Sequence, residues 1–558
     1  NWPAATTGEN RNNSTRFDYN LNNTLTWDYT IAQKHHFIAT FVQEAEERRF
    51  WSDGMDAYNI QPSDALGFHY VNTATMANSA IRSNDTHETA DALMARLFYS
   101  FDNRYMFTAT IRRDGYSAFG ASNPYAVFPS FGVAWNFKNE KWFNWDAMTT
   151  GKLRLSWGKN GNRTLEDPYV SLANLVNTGT MGYLDPSGKA LEIKYLSLDR
   201  MANPNLVWEK TTSKNIGFDL GFLRDRITAT LDFYRASTRD MIMSQSLPGF
   251  TGFSSIATNL GEVQNQGIEL SINTLNMKKP NFEWRTSFGI SYNENKIVSL
   301  YGNMVDIKDE SGNVIGKKEG DDSANGWFIG RPITQIWDYK VTGIWQKDEW
   351  KEAQKYGQRP GDPKVANSYT ADDVDAVDAD GNPYKKAVYN EKDKQYLGNY
   401  NSPVQWSLRN DFKIYKNWDI GISMYSNVGG KSLDSNYMNT FNDSSLYKFN
   451  FNPYVNPYWT LDNPTNEWAR LDAKGPAGTP VAPGRLYDRS FIRLDNISLA
   501  YTLPKDLLDK VHVKSIKIYA SVQNVATWSA SKEWKYFGDP ETGGLATRQF
   551  NLGFNFQL

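Results

Sequence analysis

The final residues of the chain alternate strictly. Leu552, Phe554, Phe556 and Leu558 fall on one side of an extended backbone, Asn551, Gly553, Asn555 and Gln557 on the other, and Phe550 continues the apolar series. A period of two predicts a β-strand with one apolar and one polar face. An edge strand with so much apolar surface would template aggregation in water, so the pattern calls for a cover or for a solvent other than water. The same pattern recurs upstream. Ile227, Ala229, Leu231 and Phe233 oppose Thr228, Thr230, Asp232 and Tyr234, and Ile268, Leu270 and Ile272 alternate with Glu269, Ser271 and Asn273. Phe282, Trp284, Phe288, Ile290 and Tyr292 oppose Glu283, Arg285, Ser287 and Ser291, and Ile516, Ile518, Ala520 and Val522 oppose Lys517, Tyr519, Ser521 and Gln523. Charges sit in mid-strand on the polar side, as a water-filled lumen allows and a sandwich core does not.

Predicted strands at 15–31, 35–50, 88–101, 104–118, 128–138 and 150–159 are far longer than the roughly five or six residues usual in globular sheets. Their connections alternate in length. Short ones fall near Gln33-Lys34, at Asp102-Asn103, at Leu223-Arg224-Asp225, between Asn276 and Asn281, and at Lys416-Asn417. Long ones run to about Asp85, past Asn203, and through 243–260, 299–323 and 431–487. Short turns on one side and long loops on the other characterise outer-membrane barrels. Parity holds if 326–346 is two strands around Gly330-Arg331-Pro332, where Pro cannot sit inside a central strand. That reading predicts about seventeen strands, an odd number that a whole bacterial single-chain barrel does not have.

Composition agrees. The 558 residues are 40% hydrophobic, yet 14% are aromatic, with 19 Trp, 31 Tyr and 30 Phe, and mean hydropathy is −0.61. No apolar run reaches the ~18 residues of a membrane helix. With 60 basic and 62 acidic residues the net charge of −2 favours no nucleic-acid partner. Absence of cysteine removes disulfide scaffolds and thiolate metal sites.

Several stretches are similar to one family. FPSFGVAWNF, GKLRLSWGKNGN, NPNLVWEKTTSKNIGFDLGFLRDRITATLDFYRASTRDMI, GEVQNQGIELSI, IGRPITQIWDYKVTGIWQ, YLGNYNSPVQWSLRNDF, SFIRLDNISLAYTLPK, IYASVQNVATWS and FGDPETGG resemble, in order from about residue 90, the SusC-like TonB-dependent outer-membrane transporters. The resemblance implies an all-β fold: a transmembrane antiparallel β-barrel of the plugged type, with about 22 strands when whole. Residues 1–558 would then be the C-terminal part of one barrel domain. The plug, the TonB-contacting segment and roughly five strands would lie outside this chain, with Asn1 in an extracellular loop and the C-terminus periplasmic. It further implies active import of oligosaccharides, or of oligopeptides, in a Bacteroidetes-type bacterium. Its partners would be a SusD-like surface lipoprotein as lid, the TonB complex and outer-membrane lipid, and transporter–lipoprotein pairs could dimerise. A passive polar porin or surface-binding barrel is the alternative from another class, and a soluble multi-sandwich glycan binder a third.

No catalytic constellation is visible, and no cofactor is expected. The five histidines are His35, His36, His69, His87 and His512, and the His35-His36 pair beside a turn reads as solvated or interfacial and not as a metal site. In the acidic run TADDVDAVDADGNP, Ala376 and Ala387 occupy the first and last ligand positions of an EF-hand frame, so the strict motif fails. A solvated loop is the favoured reading, with an irregular Ca or Mg site on Asp373, Asp375, Asp378 and Asp380 as the alternative. The aromatic loop 447–470 supplies Tyr454, Tyr458, Trp459 and Trp468 as candidate sugar-binding residues, since ring faces beside amides and carboxylates suit sugars. Packing of the loop's own core is the competing role for these four.

Overall fold

The computed structural model describes residues 8–557, apart from 61–64, 66–73, 75–78, 435–456, 480–482, 509–512, 535–537 and positions 166, 310, 379 and 545. Candidate Tyr454 and residues His69 and His512 lie outside the described residues. One antiparallel sheet dominates, and its strands pair in chain order. They are Gly8–Ile31, His35–Tyr58, Ala80–Phe101, Tyr105–Tyr116, Tyr125–Asn136, Met148–Asn162, Glu209–Phe222, Ile227–Ser246, Ser255–Lys279, Phe282–Ser299, Val404–Ile414, Trp418–Val428, Phe491–Thr502, Ser515–Ser529 and Gln549–Gln557. Among the described residues, the first and last of these pair on one side only.

The register explains the terminal strand. Phe554 lies beside Ile518, Ile518 beside Tyr501, Tyr501 beside Trp418, and the row continues through Ile414 to Phe282. This continuous apolar row faces outward; Leu552 and Phe554 are 82% and 74% exposed. The other side carries Lys517, which reaches Asp419 at 2.8 Å, and Arg409, which holds Asp411. Alternation therefore separates an apolar outer wall from a charged, hydrogen-bonding inner wall.

Short connections are built as hairpin turns. Asp102 and Asn103 have φ of 52° and 50°, and the Arg104 amide closes on the Phe101 carbonyl at 2.9 Å. Ala32 and Gln33 do the same with φ of 51° and 59°, one residue earlier than the sequence suggests. Positive φ at both central positions gives the turn the twist that antiparallel strands need. The Asp102-Asn103 turn suits that conformation, whereas Ala32-Gln33 tolerates it.

Two expectations are corrected. The main sheet has fifteen strands among the described residues, not about seventeen, because Phe282–Ser299 pairs directly with Val404–Ile414. Segment 326–346 lies in the connection between them: Gln335–Asp338 pairs with Gln395–Asn399, and Val341–Ile344 with Pro363–Val365. Its apolar residues fill a loop core instead of facing outward, as Tyr339 and Ile344 are buried. The count stays odd, and both end strands still run toward the short turns. The expected long connection 243–260 is mostly strand, since Ile227–Ser246 and Ser255–Lys279 extend the ladder and leave 247–254.

Candidate functional site

The connections 300–403 and 457–490 fold together. Ile344 packs with Trp459, Ala469 and Ala473, and Tyr339 with Val365, Ala387 and Tyr389. Polar bonds tie the same two segments: Asn466 Oδ1 accepts the Ile344 amide at 3.1 Å, and Gln358 Nε2 donates to the Lys474 carbonyl at 2.7 Å. Buried Asp362 accepts Arg470 Nε at 2.8 Å and the Lys474 amide at 3.1 Å, so its charge is compensated.

This architecture places the sequence candidates. Trp468 is 1% and Trp459 7% exposed, and Trp459 Nε1 donates to Gln346 Oε1 at 3.1 Å. Both rings are spent on the loop core and offer no face to a ligand. Tyr458 stays 37% exposed at the loop surface. The four aspartates do not converge. Asp373 accepts Asn367 Nδ2 at 2.8 Å, Asp375 pairs with Lys385 at 2.9 Å, and Asp380 pairs with Lys351 at 2.6 Å. Asp378 closes the turn of hairpin Val374–Val377/Pro383–Lys386 by accepting the Asn382 amide at 2.8 Å. That amide leads in holding its carboxyl below the usual carboxylate range. Among the described residues, no three acidic or histidine side chains gather as a metal site would need.

The inner wall instead forms a chamber. A cavity of 570 Å³ lies against the inner faces of six strands and is roofed by 400–403 and by Pro540-Glu541. Along its wall Glu269 lies beside Ser291, Ser291 beside Gln405, and Gln405 beside Asn427. A second cavity of 480 Å³ shares these residues and continues toward Asp232 and Ser407. Tyr234 Oη donates to Asn293 Oδ1 at 2.8 Å across Gly267. A Cβ at Gly267 would sit 2.6 Å from that hydroxyl and 2.2 Å from the Tyr292 carbonyl, so only glycine lets the ring lie across the strand. Gly217 gives Arg154 the same clearance to reach Asp219 at 2.9 Å and Asp232 at 3.2 Å.

The roof is locked to the wall by two arginines. Buried Arg493 donates to Tyr425 Oη at 2.9 Å and pairs with Asp539 and with Glu541, the latter at 3.1 Å, while Tyr425 Oη donates to Glu541 at 2.7 Å. Arg489 donates to the carbonyls of Pro540 and Glu541 at 3.0 and 2.9 Å and stacks 4.0 Å over the Tyr400 ring. Residues 538–544 thus brace the roof against the wall. The two arginines are saturated, whereas Glu269 has no ion pair among the described residues. The chamber offers hydroxyls, amides and a free carboxylate, and pairs no nucleophile with a base. Sequence reading placed Glu269 on the lumen side but missed Arg489, Arg493 and Glu541. The available signal was two arginines in one strand region and acidic residues in a Gly/Pro-rich turn. His35 lies elsewhere, bonded to Tyr99 at 2.9 Å among outward aromatic rings.

A sheet with an apolar outside, a polar inside and long connections gathered at one end has the arrangement of an outer-membrane barrel wall. Residues 1–525 match the family model described as TonB dependent receptor-like, beta-barrel, and the chain belongs to that family of outer-membrane barrels. It is 29% identical, over 98% of its length, to the TonB-dependent receptor SusC of Bacteroides thetaiotaomicron. It is 28% identical, over 95% of its length, to TonB-dependent receptor P26 of Formosa agariphila. It covers 50% and 51% of those proteins, so the chain spans about half the length of these relatives. In fold it resembles the RagAB peptide transporter, with a TM-score of 0.74 at 21% identity over 99% of this chain and 56% of that one.

Proposed function

We propose that the protein imports an oligomeric, hydrogen-bonding nutrient across the outer membrane, energised through TonB and capped by a SusD-like lipoprotein. The observation that carries this reading is the braced polar chamber on the inner wall beneath interlocked connections. In this reading the long connections are extracellular and the C-terminal end is periplasmic. Further strands of the same protein continue the sheet from its open edges, and a plug fills the lumen. Oligosaccharides are the first substrate class, because uncharged hydroxyl-rich chains match Tyr234, Ser291, Asn293, Gln405 and Asn427. Burial of Trp459 and Trp468 withdraws their support for sugar stacking. Oligopeptides are the second, favoured by Glu269, whose free carboxylate would receive a peptide amino terminus.

Calorimetry of the intact transporter–lipoprotein complex against neutral glycans and mixed peptides tests the substrate class. Glycan binding that weakens on Asn427→Ala is the expected outcome. Peptide binding abolished by Glu269→Gln, with no glycan binding, would transfer the assignment to peptides. Uptake that persists at full rate without TonB would reduce the protein to a passive pore.

A further inference from the structure

We infer that the outer wall carries a site for one phosphate-headed acyl lipid of the membrane leaflet nearest the long connections. A concavity of 900 Å³ opens on the outward face of the first five strands. Its floor is Ala95, flanked in register by Phe41 on one side and Ile111 on the other. Leu25, Phe41 and Ile111 stand proud around this small residue, being 68%, 56% and 54% exposed. A methyl between two larger side chains leaves a recess in the apolar wall, and apolar burial favours filling it.

The rim is polar on one side only. One ladder step toward the long connections, Leu93 is flanked by Gln43 and Arg113. Arg113 gives one N–H to Asp91 at 3.2 Å, lies 4.5 Å over the Tyr125 ring and keeps 45% of its side chain exposed. An exposed Arg–Asp pair contributes little, so the guanidinium can be shared with a phosphate, which it grips in bidentate fashion. Apolar trough below and cation above reproduce the order of an acyl chain and its headgroup along the membrane normal.

A second outward concavity, of 300 Å³, sharpens the contrast. It lies toward the short turns against Phe107, Val133 and Leu155, and its neighbouring Arg104 is already held by Asp102 and Glu140 at 3.1 and 3.2 Å. Of these two troughs, the upper one joins hydrocarbon walls to a cation held by a single exposed ion pair.

The test is native mass spectrometry of the full-length transporter in neutral detergent, titrated with phosphatidylglycerol or with diacylglycerol of the same chains. The wild type should retain one phosphatidylglycerol at least tenfold more strongly than diacylglycerol. Ala95→Phe should lower retention of both lipids several-fold, and Arg113→Gln should erase only the preference for phosphate. Both substitutions lie on the outward face, and heat-modifiable gel migration checks the barrel in each. Wild-type retention and order of preference in both folded variants would overturn the assignment. Loss of the preference in Ala95→Phe with no change in Arg113→Gln would overturn the role given to Arg113.

Discussion

Strand Gln549–Gln557 and segment 337–342 share an alternating pattern and put it to opposite use. The first turns Phe554 outward beside Ile518, on a wall that meets lipid. The second turns Tyr339 into a core within connection 300–403, and Ile344 just beyond it packs on Trp459 of the other connection. Alternation reports that one face of a strand is apolar, but not what covers it. The covering is decided by neighbours: nine consecutive register pairs for the terminal strand, and four-residue ladders at 335–338 and 341–344.

Four substitutions or conditions would break this contrast if it is wrong. Trp468→Ala should have the largest effect, destabilising the connections by about 3–5 kcal/mol through the cavity left in their core. Hydrogen exchange should then accelerate across 335–400 and 457–490 while gel migration of the barrel stays unchanged. A barrel that fails to insert would show that the two regions are one cooperative unit. Next, Ile518→Arg should weaken the barrel by about 2–4 kcal/mol if it lies near the bilayer midplane, with Ser521→Arg on the lumen face tolerated. Equal losses in urea-driven unfolding from liposomes would contradict the face assignment.

Asp393→Ala should cost about 1–3 kcal/mol, confined to the connections, because buried Asp393 accepts the amides of Ser368, Tyr369 and Asn390 and no water can replace it. Unchanged exchange at those three amides would refute it. The smallest effect is on pH. The Asp378 carboxyl is held below its unfolded value of ~3.9, so its turn contribution is complete above that pH. It is lost as pH falls through the folded value. Amide exchange at Asn382, corrected for intrinsic rate, should therefore rise on acidification below about pH 4 in the wild type and be insensitive there in Asp378→Asn.

The wall was largely legible because each of its residues obeys one local rule. Ile516, Ile518, Ala520 and Val522 declare a face by position alone, and Asp102-Asn103 declares a turn by backbone preference. The interior of the connections was not legible, since Ile344 and Trp459 meet across more than a hundred residues. Nothing local separates a tryptophan that stacks on a ligand from one that fills a core. The chamber lay between these cases. Glu269 was placed on the lumen side by alternation, but the brace needs Arg489 and Arg493 to meet Pro540 and Glu541 from another connection. Asp373, Asp375, Asp378 and Asp380 crowd the sequence, yet a hairpin points them to separate lysines and amides.

The connection 300–403 leaves the wall at one strand and returns at its immediate hydrogen-bonded neighbour. The return strand starts opposite Tyr292, so the two strands that carry the connection are held about 4.8 Å apart, whatever length lies between them. Such a segment can grow, shrink or be exchanged over generations without disturbing a single ladder bond. Its partner 457–490 cannot be left behind, because Asn466, Arg470 and Lys474 complete its interior. The unit of inheritance at this end of the molecule is consequently a matched pair of insertions, and a chimera that grafts one without the other should inherit an incompatible half.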